Sequence, residues 1–269
     1  VDIEGFRVYT GGGGTHTAVG FSRLGLSAAA LCETGRDDFA QIVTQDLERE
    51  RVSTQLVISE KKEQTGGSIV LVGAQGGRTV LVHRGAASML DTFDIPPYWL
   101  SQTRWVHLSS IGGRKETLEK IFLLIRKAGE VGLSWNPGQG ELALLKDKEL
   151  DVESIPCKIA FFNKEEWRQV SVLHQQLLRQ IPHIIVTDGK NGGDAYINGK
   201  HSWRYLALPV ESVDDTGAGD AFATGYVAAH LLGKKPQAAI EWAVKNASSV
   251  VRFYGAKLGL LDRKRIEAE

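Results

Sequence analysis

The sequence predicts an α/β fold, a mostly parallel sheet covered by helices on both faces. Short runs rich in Val and Ile alternate with helical patterns through the second half of the chain, the rhythm of βαβ units. The 269 residues, 42% hydrophobic and 24% charged, supply ample core material. No internal repeat, low-complexity tract or clear interdomain linker divides them, so a single domain over 1–269 is expected.

Strand-like runs are 68–73, 78–83, 104–108, 158–162 and 183–187. Asn198-Gly199 between "AYIN" and "HSWRYLAL" is the strongest hairpin signal, and "AQGG" joins 68–73 to 78–83 as a second. Helical patterns cover 15–24, ending at a C′ glycine, Gly25, and then 37–50, 115–129, 164–180, 217–232 and 236–252. The early hairpin breaks the rhythm and predicts a small β element outside the main sheet.

Thirty-two basic and 32 acidic residues cancel, so the total favours neither nucleic acid nor an anionic membrane. No apolar run reaches spanning length, and no charged n-region with an apolar h-region stands at the start of the chain. Cys32 and Cys157 form no CxxC, which fits a reducing cytoplasm. There is no HExxH, acid-rich metal loop or GxSxG, so tightly held zinc or calcium and hydrolase chemistry are not expected.

The chemistry concentrates in "VDDTGAGDAF", 213–222, directly ahead of a helical stripe. A helix N-terminus has unpaired N–H groups and a positive dipole, and small residues let an anion approach them. Gly217, Ala218 and Gly219 therefore form a phosphate or oxyanion cradle. Asp220 beside it would repel a phosphate, but it suits accepting the proton of an attacking hydroxyl. The plainer alternative is a helix-capping Asp220 with small residues kept for packing. A dinucleotide fingerprint fails at Phe222, and "GGGG" at 11–14 runs into Thr15-His16, not the Lys of a P-loop.

"DDTGAGDAF" matches the C-terminal signature of the ribokinase family (the phosphofructokinase-B superfamily), and the resemblance extends over essentially the whole chain. "GGGGTHTAVGFSRLG" at 11–25 resembles the family's substrate signature. "NP" at 136–137, "NKEE" at 163–166, "VTDGKNGG" at 186–193 and "NASSVVRFYGAK" at 246–257 follow in family order. The resemblance implies a three-layer α/β/α sandwich with a small β-sheet lid near 3–10 and 66–86. It implies ATP-dependent, Mg²⁺-dependent transfer of the γ-phosphoryl group to a sugar or nucleoside hydroxyl. Asp220 would be the base and Gly217, Ala218 and Gly219 the anion hole. Asn163 and Glu166 would organise Mg²⁺ and phosphates through water, and Thr187, Gly189 and Gly192 would belong to a nucleotide loop. Asn246 and Gly255-Ala256 would border the adenine. Asp214 and Thr216 match the edge of a monovalent-cation (K⁺) site found in many members. On the substrate side the resemblance assigns Gly11, Gly12, Asn136, His16 in place of the family's asparagine, and Arg84 from the lid. Lid sheets of this type often pair between subunits, which implies a homodimer.

Read alone, several of these residues have plainer roles: Asn163-x-x-Glu166 as a capping box, His16 as a packed side chain, Arg84 as an exposed lid arginine. Members normally carry an aspartate-bearing strand some thirty residues before the glycine signature, whereas ten residues precede Gly11 here, so that strand is expected to be missing. Two functional alternatives therefore stand beside the kinase: a nucleotide-binding member without turnover, and a kinase acting on a sugar phosphate.

Overall fold

The protein is described by a computed structural model over residues 5–60, 62–72 and 78–268. The chain runs α1 (Gly13–Arg23), β1 (Cys32–Thr34), α2 (Asp38–Arg49), β2 (Val57–Ser59), β3 (Gly67–Val72), β4 (Arg78–His83) and β5 (Trp105–Leu108). It continues through α3 (Lys115–Ala128), β6 (Gly132–Trp135), α4 (Gln139–Lys146), β7 (Ile159–Asn163), α5 (Lys164–Gln169), α6 (His174–Gln180) and β8 (His183–Thr187). It closes with β9 (Gly193–Ile197), β10 (Lys200–Tyr205), α7 (Ala218–Leu231), α8 (Pro236–Val250) and α9 (Arg263–Ala268).

The main sheet has the order β10-β9-β8-β7-β6-β5, with β5 to β8 parallel and β9 and β10 antiparallel. Both faces are covered, and the strands show it residue by residue. In β7, Ala160 and Phe162 enter the core shared with α3 and α4, while Ile159 and Phe161 enter the one shared with α7 and α8. Ile184 and Val186 against Ile185 repeat the alternation in β8. Phe161 meets the rings of both Phe222 and Tyr226 edge-on, fixing α7 against the sheet.

Local signals explain most element ends. α1 stops in a Schellman motif, with Gly25 N–H donating to the Ser22 carbonyl and Leu26 N–H to that of Phe21. Asp37 caps α2 by accepting from Ala40 N–H at 2.9 Å. Pro236 opens α8, and Asn198-Gly199 turns β9 into β10 with both residues at positive φ.

Two expectations need correction. The helix predicted over 164–180 is broken by a 3₁₀ turn at Ser171–Leu173. Val170 and Val172, β-branched, and Ser171 weaken the helix there. Among the described residues the lid sheet is two-stranded, β3 with β4. Residues 5–10 form no strand, while residues 3–4 and all of "AQGG" lie outside the described residues.

β1 and β2 form a separate parallel pair. Between β1 and β5, the end strand of the main sheet, runs a wide cleft lined by 28–34 on one side and 101–111 on the other. Four buried polar atoms without partners among the described residues belong to residues of this cleft: Glu33 Oε2, Trp99 Nε1, His107 Nε2 and Ser109 Oγ. Burial, reinforced by Asp94, pushes the Glu33 carboxyl up to about 8. Burial also drives the Cys32 thiol up to about 11 and that of Cys157 up to about 12, leaving both poor nucleophiles.

Above its unfolded value near 4.5 and up to about 8, the folded chain keeps a proton on Glu33 that the unfolded chain releases. Stability is therefore lost as pH rises through that window. We expect Glu33→Gln to raise Tm by at least about 2 °C at pH 8.5 and to leave it unchanged at pH 4.5. Melting curves at the two pH values check this.

Candidate active site

The parallel strands deliver their carboxyl ends to one edge of the sheet. Asn163 and Thr187 are register partners at the ends of β7 and β8, and Ser109 follows β5 at the same edge. α1 and α7 pack together alongside, bringing the glycine run and the Gly-Ala-Gly turn to this edge.

Gly217 caps α7 in the left-handed region at φ 79°, where a side chain is strained. A Cβ there would lie 2.3 Å from that of Ala256, so the turn at 255–256 closes directly on the cap. Ala218 N–H donates to the Asp215 carbonyl at 3.2 Å, whereas the amides of Gly217 and Gly219 have no partner among the described residues. Gly219 is exposed, and nothing lies within 4 Å of where its Cβ would be. The start of α7 thus faces open space.

Asp220, half-buried in the first turn of α7, has Oδ2 3.3 Å from His16 Nδ1. A carboxylate only accepts, so Nδ1 carries the proton of that bond. His16 is buried, and its Nε2 lies 3.4 Å from the Thr10 carbonyl. The other carboxylate oxygen, Oδ1, turns toward Gly13: the position of a Cβ on Gly13 lies 3.5 Å from it and 3.0 Å from Ser109 Oγ. A side chain at residue 13 would crowd Ser109, whose unpartnered hydroxyl and the Asp220 carboxylate flank this glycine.

The cleft gathers Gly11, Gly12, His16, Arg84, Asp214, Thr216, Gly255 and Ala256. Arg84 is exposed at the foot of the β3–β4 hairpin. Asn163, Thr187 and Gly189 line a second, open depression together with Lys164, which pairs with Asp188 at 2.5 Å. Asn163 and Glu166 make a reciprocal capping box: Asn163 Oδ1 accepts from Glu166 N–H at 2.9 Å, and Asn163 N–H donates to Glu166 Oε2 at 2.8 Å. Glu166 Oε1 keeps no hydrogen-bond partner among the described residues, and burial pushes this carboxyl above its usual range despite the Asn163 amide.

Gly217, Ala218, Gly219, Asp220 and Glu166 are not among the residues lining either depression, and three further residues named from the sequence are tied up within the fold. Asn246 is fully buried: its Nδ2 donates to the Ala221 carbonyl at 2.7 Å and to Thr224 Oγ1 at 3.2 Å, and its Oδ1 accepts from Leu261 N–H at 2.9 Å. It ties α7, α8 and the 261 segment together and has nothing left for an adenine. Gly192 is buried, with its carbonyl accepting from Asp188 and its N–H donating to Gly189, so it shapes the loop from within. Asn136 continues the ladder past β6 by donating to the Leu108 carbonyl, and it is not among the residues lining the cleft.

Mg²⁺ prefers oxygen ligands and keeps much of its water, commonly using one or two carboxylates together with phosphates. The spare Glu166 oxygen fits that outer role. No group of three or more His, Cys, Asp or Glu able to cage a metal occurs among the described residues. A K⁺ site fits less well. Asp214 Oδ1 accepts from Thr216 N–H and Oγ1, Asp214 Oδ2 accepts from Gly255 N–H, and the Val251 carbonyl accepts from two amides. These groups close on one another and do not converge on a cation.

Residues the sequence reading passed over hold the loops. Glu141, fully buried, accepts four bonds, from Ile111 N–H, Gly113 N–H, Gly138 N–H and Ser110 Oγ, and so ties the loops after β5 and β6. Asp46 accepts from Thr10 Oγ1 and from Lys257 Nζ at 2.8 Å, anchoring the chain that enters the glycine run. Asp37 accepts from both the N–H and the hydroxyl of Thr65 at the base of the hairpin. Ser109 was the one within reach of sequence logic, since it follows a predicted strand at the ligand edge.

The profile of the pfkB family of carbohydrate kinases matches residues 2–263. The chain belongs to that family. Curated relatives include a fructokinase of Klebsiella pneumoniae, 28% identical over 239 residues spanning 81% of this chain and 76% of that protein. A nucleoside kinase of Methanothermobacter thermautotrophicus is 26% identical over 265 residues, 97% of this chain and 84% of that one. Among solved structures, the nucleoside kinase of Methanocaldococcus jannaschii, an archaeal member of the ribokinase family, overlays with a TM-score of 0.82 at 23% identity. That overlay covers 99% of this chain and 88% of the other and shows the ribokinase fold. The chain thus belongs with carbohydrate kinases, phosphotransferases with an alcohol acceptor. No helix among its described residues is long and apolar enough to cross a membrane.

Two substitutions separate scaffold from site. Asn246→Ala strands buried polar groups and should cost about 2–3 kcal/mol of stability, with KM for ATP unchanged in steady-state assays. Gly217→Ala should lose about 1–3 kcal/mol from backbone strain and weaken ATP binding at least tenfold in titration calorimetry.

Proposed function

We propose that this pfkB-family kinase transfers the γ-phosphoryl group of ATP to a hydroxyl of a small sugar or nucleoside. The observation that carries this is Asp220 standing in the first turn of α7, beside the amides of 217 and 219, which have no partner among the described residues. The amides of 217 and 219 would balance charge on the transferring group, where most of the catalysis should lie. Asp220 Oδ1 would take the proton of the acceptor hydroxyl, entering over Gly13 with Ser109 Oγ as a second hydrogen-bonding group. Bound Mg²⁺ would supply neutralisation of phosphate charge. Asn163, Glu166, Thr187 and Gly189 would flank the phosphates, and Gly255-Ala256 would border the base. The Klebsiella relative is named a fructokinase and the Methanothermobacter relative a nucleoside kinase, which makes sugars and nucleosides the acceptors to try.

The strand that the family resemblance places ahead of the glycine run would seat in the cleft between β1 and β5, within reach of the unpartnered groups of Glu33, His107 and Ser109. The β3–β4 hairpin exposes apolar side chains from both strands, Ile69, Val70, Leu71 and Val72 with Val80, Leu81 and Val82. A lone two-stranded hairpin is marginal in water. These exposed apolar side chains support the expected homodimer, in which the same hairpin of a second copy would cover them.

A nucleotide binder without turnover is the competing reading, favoured by His16 occupying one oxygen of Asp220. Phosphoryl transfer from ATP should be measured with D-fructose, D-ribose, their monophosphates and adenosine. Turnover with one of them, reduced about 10²–10⁴-fold in Asp220→Asn with ATP binding retained, is the expected result. ATP binding without transfer to any of them would favour the binder. Dependence on a monophosphate that vanishes in Arg84→Ala would favour a sugar phosphate. For the dimer, Leu81→Glu, opposite Ile69 in the hairpin register, should shift the light-scattering mass from dimer to monomer.

A further inference from the structure

We propose that His16 is a positioning residue for Asp220. By donating from Nδ1 to Oδ2 it turns the carboxylate so that Oδ1 alone faces the acceptor. The inference rests on the reading of Asp220 as the base.

The geometry is built by two helices meeting twice. α1 and α7 approach so closely at Gly20 that a Cβ there would lie 2.9 Å from Thr224 Oγ1. One helical turn earlier on each helix stand His16 and Asp220, four residues before Gly20 and Thr224 respectively. Thr224 Oγ1 lies 2.9 Å from the Ala221 carbonyl and 3.1 Å from that of Asp220, which fixes the rotamer against which α1 packs. The helix spacing therefore sets the 3.3 Å contact between His16 Nδ1 and Asp220 Oδ2.

His16 is 7% exposed, and its second nitrogen faces the Thr10 carbonyl at 3.4 Å. Thr10 is itself held by Asp46 and Lys257. Both ring nitrogens are thus directed at protein oxygens, Nδ1 at Asp220 and Nε2 at the Thr10 carbonyl. Oδ1, by contrast, opens over Gly13 toward Ser109 Oγ. A carboxylate with one oxygen pinned presents the other in a fixed direction and loses less rotational freedom when the acceptor arrives.

The test compares His16→Leu, which removes the donor, with His16→Asn, whose Nδ2 takes the place of the imidazole Nδ1. Asp220→Asn is the control. The assay uses ATP with whichever of D-fructose, D-ribose and adenosine the wild type turns over fastest. The expected result is a kcat at least tenfold lower in His16→Leu, with acceptor KM within threefold of wild type, and recovery of kcat to within threefold in His16→Asn. If His16→Leu does not fold by circular dichroism, His16→Gln replaces it, because its longer side chain sets the amide at the Nε2 position, and the same loss is expected. A raised acceptor KM with kcat held would make His16 a substrate contact and overturn the proposal. Equal kcat in all His16 variants would overturn it as well. In both cases a dead Asp220→Asn leaves the base assignment standing, whereas an active Asp220→Asn removes the assignment and the proposal together.

Discussion

The close packing of α1 on α7 is the constraint from which the site follows. α1 brings the glycine run and His16, and α7 brings the left-handed cap, the open amides and Asp220. Neither helix alone holds a complete set of groups. Gly20 against Thr224 allows the backbones to approach, and Phe161 packed on Phe222 and Tyr226 holds α7 to the sheet. Because the approach is steric, it is set to tenths of an ångström, finer than hydrogen bonding between long side chains would give.

Around this contact the loops are held by buried polar groups whose bonding capacity is largely filled. Glu141 takes four donors from loops after two neighbouring strands. Asn246 joins α7, α8 and the 261 segment, and nearer the surface the half-buried Asp214 joins the turn at 216 to that at 255. Burying such groups is unfavourable unless they are bonded, so each is a demanding geometric condition. Loops satisfying those conditions arrive at the site already ordered. Lys257 and Asp46 show the balance: burial works against both charges, and their mutual contact opposes it.

The cleft between β1 and β5 is the opposite case. Buried polar atoms of Glu33, His107, Trp99 and Ser109 lack partners among the described residues, and burial together with the nearby Asp94 pushes the Glu33 carboxyl up to about 8. The exposed apolar hairpin is likewise incomplete by itself. Unsatisfied groups thus gather in this cleft and on the hairpin, whereas Glu141 and Asn246 are satisfied within the fold.

The sequence by itself determined the layered fold, the hairpin at Asn198-Gly199, the Schellman end of α1 and the turn opening α7, because each is written in neighbouring residues. β6 escaped it, since its four buried residues show no alternation to read, and so did the three-residue strands β1 and β2. Asn246 and Glu141 show the same limit for single residues. A polar residue in a helical pattern looks alike whether it faces a ligand or a packed interior, and its partners lie up to 31 positions away. The pairing of His16 with Asp220, 204 positions apart, was decided by helix packing alone. Short-range order is encoded by local dihedral preferences, but which oxygen of a carboxylate is free depends on what the whole chain packs against it.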